Sequence, residues 1–264
     1  MSTTQLRAFG VEEGWAPYRL RQARYFELAC DVSRWAMEHA RQHGVPMNLL
    51  DVGTWNGVTR KYVEVQPGGQ YVRYHGVDIF PRGFDYVYKS NDWTLHNINL
   101  EGGMPNLESS SYDAIVAEQV LEHLHHPERA LKDMQRVLRP GGHLIVGVPI
   151  FPEGLHLARK HLVPAIDRLK KTKKTRGHVQ AWTKRTFLNL LRETCPELEV
   201  ECSRGFRIIS GGVLRPLEHR RWWWRLNRAL GAALPSLCIE IQVVARKRAS
   251  SALQPDFAPR RATG

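Results

Sequence analysis

The sequence predicts an α/β fold, a mostly parallel sheet covered by helices on both sides. Three observations predict it. Short apolar runs alternate with helix-period stretches between residues 47 and 150. Several of those runs carry apolar residues on both faces, as strands buried on both sides do. A glycine turn joins the first run directly to a helical stretch, the junction that parallel strands with crossover helices require.

Taken in order, residues 15–43 carry Tyr18, Leu20, Tyr25, Phe26, Leu28, Ala29, Val32, Trp35, Ala36 and Met37, mostly at helical spacing, and stop at Gly44 and Pro46. That is a helix leading into a first strand. Strands are expected at 48–52, 74–79, 94–100, 112–117 and 143–148, with helices at 58–65 and 127–138. After Pro149 a basic stretch, 153–177, ends in KKTKKTRG; an amphipathic helix follows at 182–194 with Phe187, Leu190 and Leu191 inward. A sixth strand falls at 198–202 or around 206–210, and 237–245 is the clearest late strand. The Ser-, Pro-, Ala- and Arg-rich residues 249–264 read as a disordered tail.

The chain is long enough, at 264 residues, to bury a full core as one domain with additions. Cys30, Cys195, Cys202 and Cys238 lie far apart without a C-x-x-C pair, so neither a zinc site nor a disulfide framework is expected. No apolar run is long enough to span a bilayer and no signal segment is visible, which fits a cytoplasmic protein. The net charge of +12 is confined: His156 to Arg228 holds 18 Lys and Arg against 6 Asp and Glu, and the remainder balances at 20 against 20. Such confinement suits either a solvated face or a partner carrying negative charge.

The chemistry begins at NLLDVGTWNGV, 48–58, where Asp51 ends the first strand and Gly53 and Gly57 mark a turn that brings backbone N–H groups and a helix N-terminus toward a ligand. Asp78 follows Gly57 by 21 residues, at the end of the next strand. A carboxylate there accepts hydrogen bonds from the two hydroxyls of a ribose. A dinucleotide fingerprint needs a third glycine where this chain has Trp55 and Asn56. Asp51 would also repel a pyrophosphate but pair with an ammonium group. The two carboxylates together therefore suit a nucleoside bearing an amino acid.

Three further segments occur in a recognisable order: 97–105, SSSYDAIVAEQVLEHL (109–124) and RVLRPGGHLIVGVP (136–149). With the glycine turn they resemble the class I S-adenosylmethionine-dependent methyltransferases, in the small-molecule branch that includes quinone-biosynthesis enzymes. The resemblance covers about residues 47–150 and implies a Rossmann-like, mostly parallel seven-stranded sheet with S-adenosyl-L-methionine as cofactor. It implies a helical lead-in at 1–46, a methyltransferase domain at 47–248 and basic insertions at 153–180 and 213–236. Residue by residue, Asp51, Gly53, Trp55 and Gly57 would border the methionine part. Asp78 would hold the ribose, Ile79 would pack on the adenine, and Asn99 and Leu100 would lie at its polar edge. Glu118 would face the sulfonium. The chain departs from the family at Trp55, where a glycine is usual, and at Asn99, where an acid is usual; Asn97 is a rival for the latter position.

Methyl transfer needs the nucleophile held in line with the methyl group, and a base is optional. Should the acceptor be a hydroxyl, His123 in EHLHH and His178 in GHVQ are the candidate proton acceptors, since imidazole titrates near neutrality. His123 has a bland alternative, a histidine bonded to backbone at a helix start. Glu122 and His123 are conceivable metal ligands, as in some quinone methyltransferases, but without a spaced partner no metal is expected.

Residues 217–234, read as a helix, place Trp223, Leu226, Leu230 and Leu234 on one stripe beside Arg221, Arg225 and Arg228. Either this helix packs its tryptophans into the core or it meets an anionic membrane surface. Three functions follow: a methyltransferase for a small-molecule or lipid-linked acceptor (quinone precursor, glycolipid or saccharide), which leads; an RNA methyltransferase; and a non-catalytic S-adenosylmethionine-binding module. Against RNA, the fourth strand ends in AEQ and lacks the Asn/Asp-Pro-Pro-aromatic motif of exocyclic-nitrogen methylation, so nucleic acid is the weaker partner.

Overall fold

The first strand, β1 (Met47–Val52), is buried at every position but Asn48 and pairs on both edges, as apolar residues on both of its faces require. The structure is a computed structural model and describes residues 19–55, 57–79, 93–152, 179–208, 214, 216–217 and 220–249. His178, most of the insertion expected at 153–180 and the tail from residue 250 lie outside the described residues.

Parallel to β1 run β2 (Val72–Asp78), β3 (Trp93–Asn97), β4 (Tyr112–Glu118) and β5 (Leu138–Pro149). The late strands β6 (Leu198–Phe206) and β7 (Glu240–Lys247) complete a seven-stranded sheet in the order β3-β2-β1-β4-β5-β7-β6, with β7 antiparallel to both neighbours. The chain therefore leaves β1 in opposite directions, toward β2 and toward β4. Their carboxyl ends flank the switch point where open α/β sheets bind ligands.

One face is covered by α1 (Arg19–His43) and α2 (Val58–Glu64), the other by α3 (Pro127–Val137) and α4 (Lys184–Thr194). Leu28, Ala29, Val32, Trp35 and Ala36 put one stripe of α1 against Leu49 and Val116 of the sheet. Each fully buried leucine contributes about 2 kcal/mol. The helix ends where Gly44, at φ +71, turns the chain out of it. Pro127 opens α3 at its first turn, where a missing N–H costs nothing. Thr183 caps α4: its hydroxyl accepts the Thr186 N–H at 3.2 Å while its own N–H donates to Thr186 Oγ1 at 2.9 Å. That cap starts the helix at Lys184, two residues later than the apolar pattern suggested.

The third strand ends at Asn97, three residues short of expectation. Asn99 accepts the Glu101 N–H at 3.0 Å and starts a tight turn, Leu100–Gly102. The sixth strand covers the first of the two alternatives, 198–202, and runs on to Phe206 at the start of the second. The remaining helix, α5 (Arg221–Ala233), packs on β6, burying Trp223, Asn227 and Gly231. A Cβ on Gly231 would stand 2.1 Å from the Gly205 carbonyl oxygen, so only glycine lets this helix approach so closely. The expected stripe through Trp223, Leu226, Leu230 and Leu234 is thus corrected. Trp223 faces inward, but Leu226 and Leu234 face solvent, and Arg228 turns inward onto Glu27 of α1 and the Phe206 ring.

Candidate active site

The turn after β1 is held from within. Gly53 and Thr54 both donate to the Val77 carbonyl, at 2.7 and 3.2 Å, and Gly57 donates to the Thr54 carbonyl at 2.8 Å. Trp55 donates to Asp78 Oδ2 at 2.7 Å. The expectation that these N–H groups face a ligand is therefore corrected: they are spent inside the turn. Gly53 sits at φ +73, and a Cβ there would overlap Val120 Cγ2 at 2.2 Å. Trp55 takes φ +40, a left-handed conformation a bulky side chain adopts only under constraint.

At the carboxyl ends of β1 to β4 lies a cavity of about 520 Å³. It is lined by Gly53, Trp55, Asp78, Ile79, Ile98, Asn99, Leu100, Glu101, Gln119, Val120, His123 and Leu124. Of the predicted residues it brings together Gly53, Trp55, Asp78, Ile79, Asn99, Leu100 and His123. Asn97, the rival of Asn99, pairs with Asp78 across β2 and β3 and does not line the cavity.

Asp51, Gly57 and Glu118 do not line it either. Asp51 is buried inside the turn, where it accepts the Thr54 hydroxyl at 2.8 Å and also bonds Thr59; burial pushes its carboxyl up to about 7. Gly57 caps α2. Glu118 turns away from the cavity toward α1. Arg24 Nε stands 3.1 Å from Glu118 Oε2, and Arg24 Nη1 stands 3.0 Å from Glu240 Oε2. Gln242 Nε2 bonds both Glu118 Oε1 and the Arg24 carbonyl. Arg207 closes the cluster at 2.7 Å from Glu240. Burial pushes Glu118 up to about 7 against the pull of Arg24, whereas two guanidiniums outweigh burial at Glu240 and hold its carboxyl below the usual range.

His123 stands on the short turn Leu121–His123 after β4, half exposed at the cavity wall, with Nε2 3.9 Å from Glu122 Oε1. Glu122 itself is fully buried, neither carboxylate oxygen has a hydrogen-bond partner, and burial pushes its carboxyl up to about 7. Among the described residues no three His, Cys, Asp or Glu side chains converge as metal ligands. A larger cavity, about 620 Å³, opens at the amino ends of the strands between Trp35, His39, Asp113, Gly142 and His143. It has neither the glycine turn nor Asp78, and so none of the groups that select a nucleoside.

The residues fit S-adenosylmethionine. Asp78 accepts one N–H on each oxygen, from Trp55 and from Ile79 at 2.7 Å, which leaves lone pairs for two ribose hydroxyls. Ile79, Ile98, Leu100 and Leu124 offer apolar surface for a flat base, and Asn99 supplies a polar edge. When bound, the cofactor supplies a methyl group on a positively charged sulfur. Val120 and Gln119 close the wall beside β4, and His123 can accept a proton from an acceptor drawn up to that wall.

Sheet order, the glycine turn after β1 and a carboxylate at the end of β2 are those of an S-adenosylmethionine-dependent methyltransferase. The chain belongs to the methyltransferase-domain family, whose model matches residues 21–194. Among solved structures it is similar to the [4+2]-cyclase SpnF (TM-score 0.54, 17% identity, covering 90% of this chain and 85% of that one). It is also similar to a methyltransferase candidate from Bacillus halodurans (TM-score 0.51, 16% identity, covering 81% and 98%). At those identities the likeness is one of fold. Among curated proteins, the hybrid PKS-NRPS synthetase lepA of Aspergillus flavus is 30% identical over 131 residues, 46% of this chain and 3% of that protein. The chain thus spans a small fraction of the curated relatives it matches.

Sequence reasoning missed Ile98, Glu101, Gln119, Val120 and Leu124. Gln119 and Val120 directly follow the motif that was singled out, and Gln119 carries a positive φ of +59 that no composition signal announces. Glu101 lines the rim and accepts the His125 N–H at 2.8 Å and its Nδ1 at 2.9 Å, a pairing across 24 residues that becomes visible only in the fold.

Proposed function

We propose that this methyltransferase modifies a small-molecule or lipid-linked acceptor, of the quinone-precursor, glycolipid or saccharide type, with His123 as the proton acceptor. The observation that carries the reading is His123 on the cavity wall, next to the strained Gln119 at the end of β4. Strained backbone concentrates at working sites. Supporting a small acceptor, relatives such as lepA of Aspergillus flavus and ffsA of Aspergillus flavipes are by name polyketide and nonribosomal-peptide synthetases, and the AEQ ending of β4 lacks the motif for exocyclic base nitrogens. The cofactor residues are those of the cavity, Asp78 above all, and the acceptor site borders an anionic membrane surface through 217–234. His178 is a second candidate base, and a cytoplasmic protein peripheral to the inner membrane face is the matching location.

RNA is the competing acceptor, favoured by the confined positive charge. Radiolabelled cofactor supplied to fractionated cell extract decides between them. Label in the lipid or small-molecule fraction is expected, and His123→Ala should lower its rate while leaving cofactor affinity in calorimetry unchanged. Label in RNA alone would overturn the proposal.

A further inference from the structure

We propose that the outward face of α5, continued through the start of β7, is a docking surface for an anionic lipid bilayer. This deepens the lipid-linked reading of the acceptor and rests on it for its purpose. Five of the twelve large hydrophobic side chains exposed among the described residues fall between 222 and 239. They are Trp222, Leu226, Leu234, Leu237 and Ile239, exposed by 57%, 40%, 45%, 50% and 37%. A soluble surface scatters such residues singly, and a contiguous set marks an interaction site.

The helix geometry explains why they gather. Trp223, Asn227 and Gly231 recur every four residues and face β6, so Trp222, Leu226, Ala229 and Ala233 come together on the opposite face. All four of those residues are exposed. The core already has its tryptophan in Trp223; Trp222 has no core to fill.

Charge selects the occupant. The helix RWWWRLNRALGAA contains no acidic residue, and Arg220 and Arg225 are exposed beside the apolar face. Tryptophan at headgroup depth with arginine reaching phosphates is the signature of an interfacial helix on anionic lipid. Nucleic acid would be met by the basic residues and would leave the apolar face in water. No helix among the described residues is long and apolar enough to cross a membrane, so this contact would lie on the bilayer.

Position connects the face to the chemistry. Its far end, Ile239, accepts the Ile150 N–H at 3.0 Å, just beyond the carboxyl end of β5. That is the side of the sheet on which the cavity opens. A bilayer reached from this end of the face would lie on the same side of the sheet as the cavity mouth.

The test is flotation of the full chain with vesicles of phosphatidylcholine plus phosphatidylglycerol, and with phosphatidylcholine alone. The protein should float with the anionic vesicles, less so at high salt, and poorly with the neutral ones. A Trp222→Ser, Leu226→Ser double variant should float roughly tenfold less, whereas Trp222→Phe keeps most of the binding. Unchanged melting and unchanged S-adenosylmethionine affinity in the double variant would show that the fold survives. Failure of the parent to float, flotation of the serine variant equal to the parent's, or binding to RNA in place of vesicles would overturn the proposal. The acceptor reading fails separately: a chain that floats yet labels only water-soluble compounds retains the docking face and loses the lipid-linked acceptor.

Discussion

The backbone N–H of Trp55 donates to Asp78 Oδ2 at 2.7 Å, so one carboxylate both ties down the turn after β1 and lines the cavity where the proposed cofactor site lies. Removing it has two effects at once. Asp78→Ala should weaken S-adenosylmethionine binding by about tenfold to a hundredfold, the worth of one charge-assisted hydrogen-bond pair. Calorimetric titration measures it, and equal affinity in parent and variant would refute the role.

Trp55 holds φ +40 where its family usually has glycine. Trp55→Gly should relieve backbone strain on the order of 1 kcal/mol, so the melting temperature should hold or rise slightly. The indole lines the cavity and is 54% exposed, available for a ligand to cover. Cofactor affinity should therefore fall several-fold even as stability is kept. A loss of stability with full affinity would reverse the assignment.

Arg24 separates two buried carboxylates, Glu118 and Glu240. Arg24→Met keeps most of the volume and leaves Glu118 without its cation while Glu240 keeps Arg207, which should cost about 3–5 kcal/mol in denaturant unfolding. Glu118→Gln in the same background should recover part of the loss. If the double variant is no more stable than Arg24→Met, Glu118 is not the group that Arg24 neutralises.

Glu122 is buried without a hydrogen-bond partner, and burial lifts its carboxyl from the ordinary glutamate value to about 7. Between those two values the unfolded chain has released this proton while the folded one keeps it. The group therefore makes stability fall as pH rises across that window, by on the order of 3 kcal/mol in full. Below the window the parent and Glu122→Gln should be alike; above it the variant should be the more stable. Urea unfolding at mildly acidic and mildly alkaline pH reads the difference, and an equal gap at both would refute it.

Local signals were enough for the fold and for one side of the cavity. Apolar runs located β1, β4 and β5, and the spacing from Gly57 picked out Asp78, which lines the cavity, because these depend on residues close in sequence. The far wall was less legible. Glu101 meets His125 across a loop, and Glu118 meets Arg24 and Gln242 from distant elements, so no local spacing announces either contact. The same limit moved the face of α5: its phase is set by Gly231 lying against Gly205, a contact between elements, and hydrophobic periodicity alone chose a neighbouring stripe. The direction of the turn's N–H groups was misjudged for a related reason, since the Val77 carbonyl that takes two of them belongs to another strand.

Gln242 donates to the carbonyl of Arg24 across 218 residues of sequence. During synthesis the helix that carries Arg24 and the strand that ends in Glu118 leave the ribosome early, whereas Glu240 and Gln242 come near the end. The nascent chain thus carries all of its cofactor motifs well before the charge cluster behind them can close. A ribosome stalled ahead of the last strand would hold an open domain in which the Arg24–Glu118 pair lacks Glu240 and Gln242 to complete the cluster, a species for chaperones rather than for catalysis.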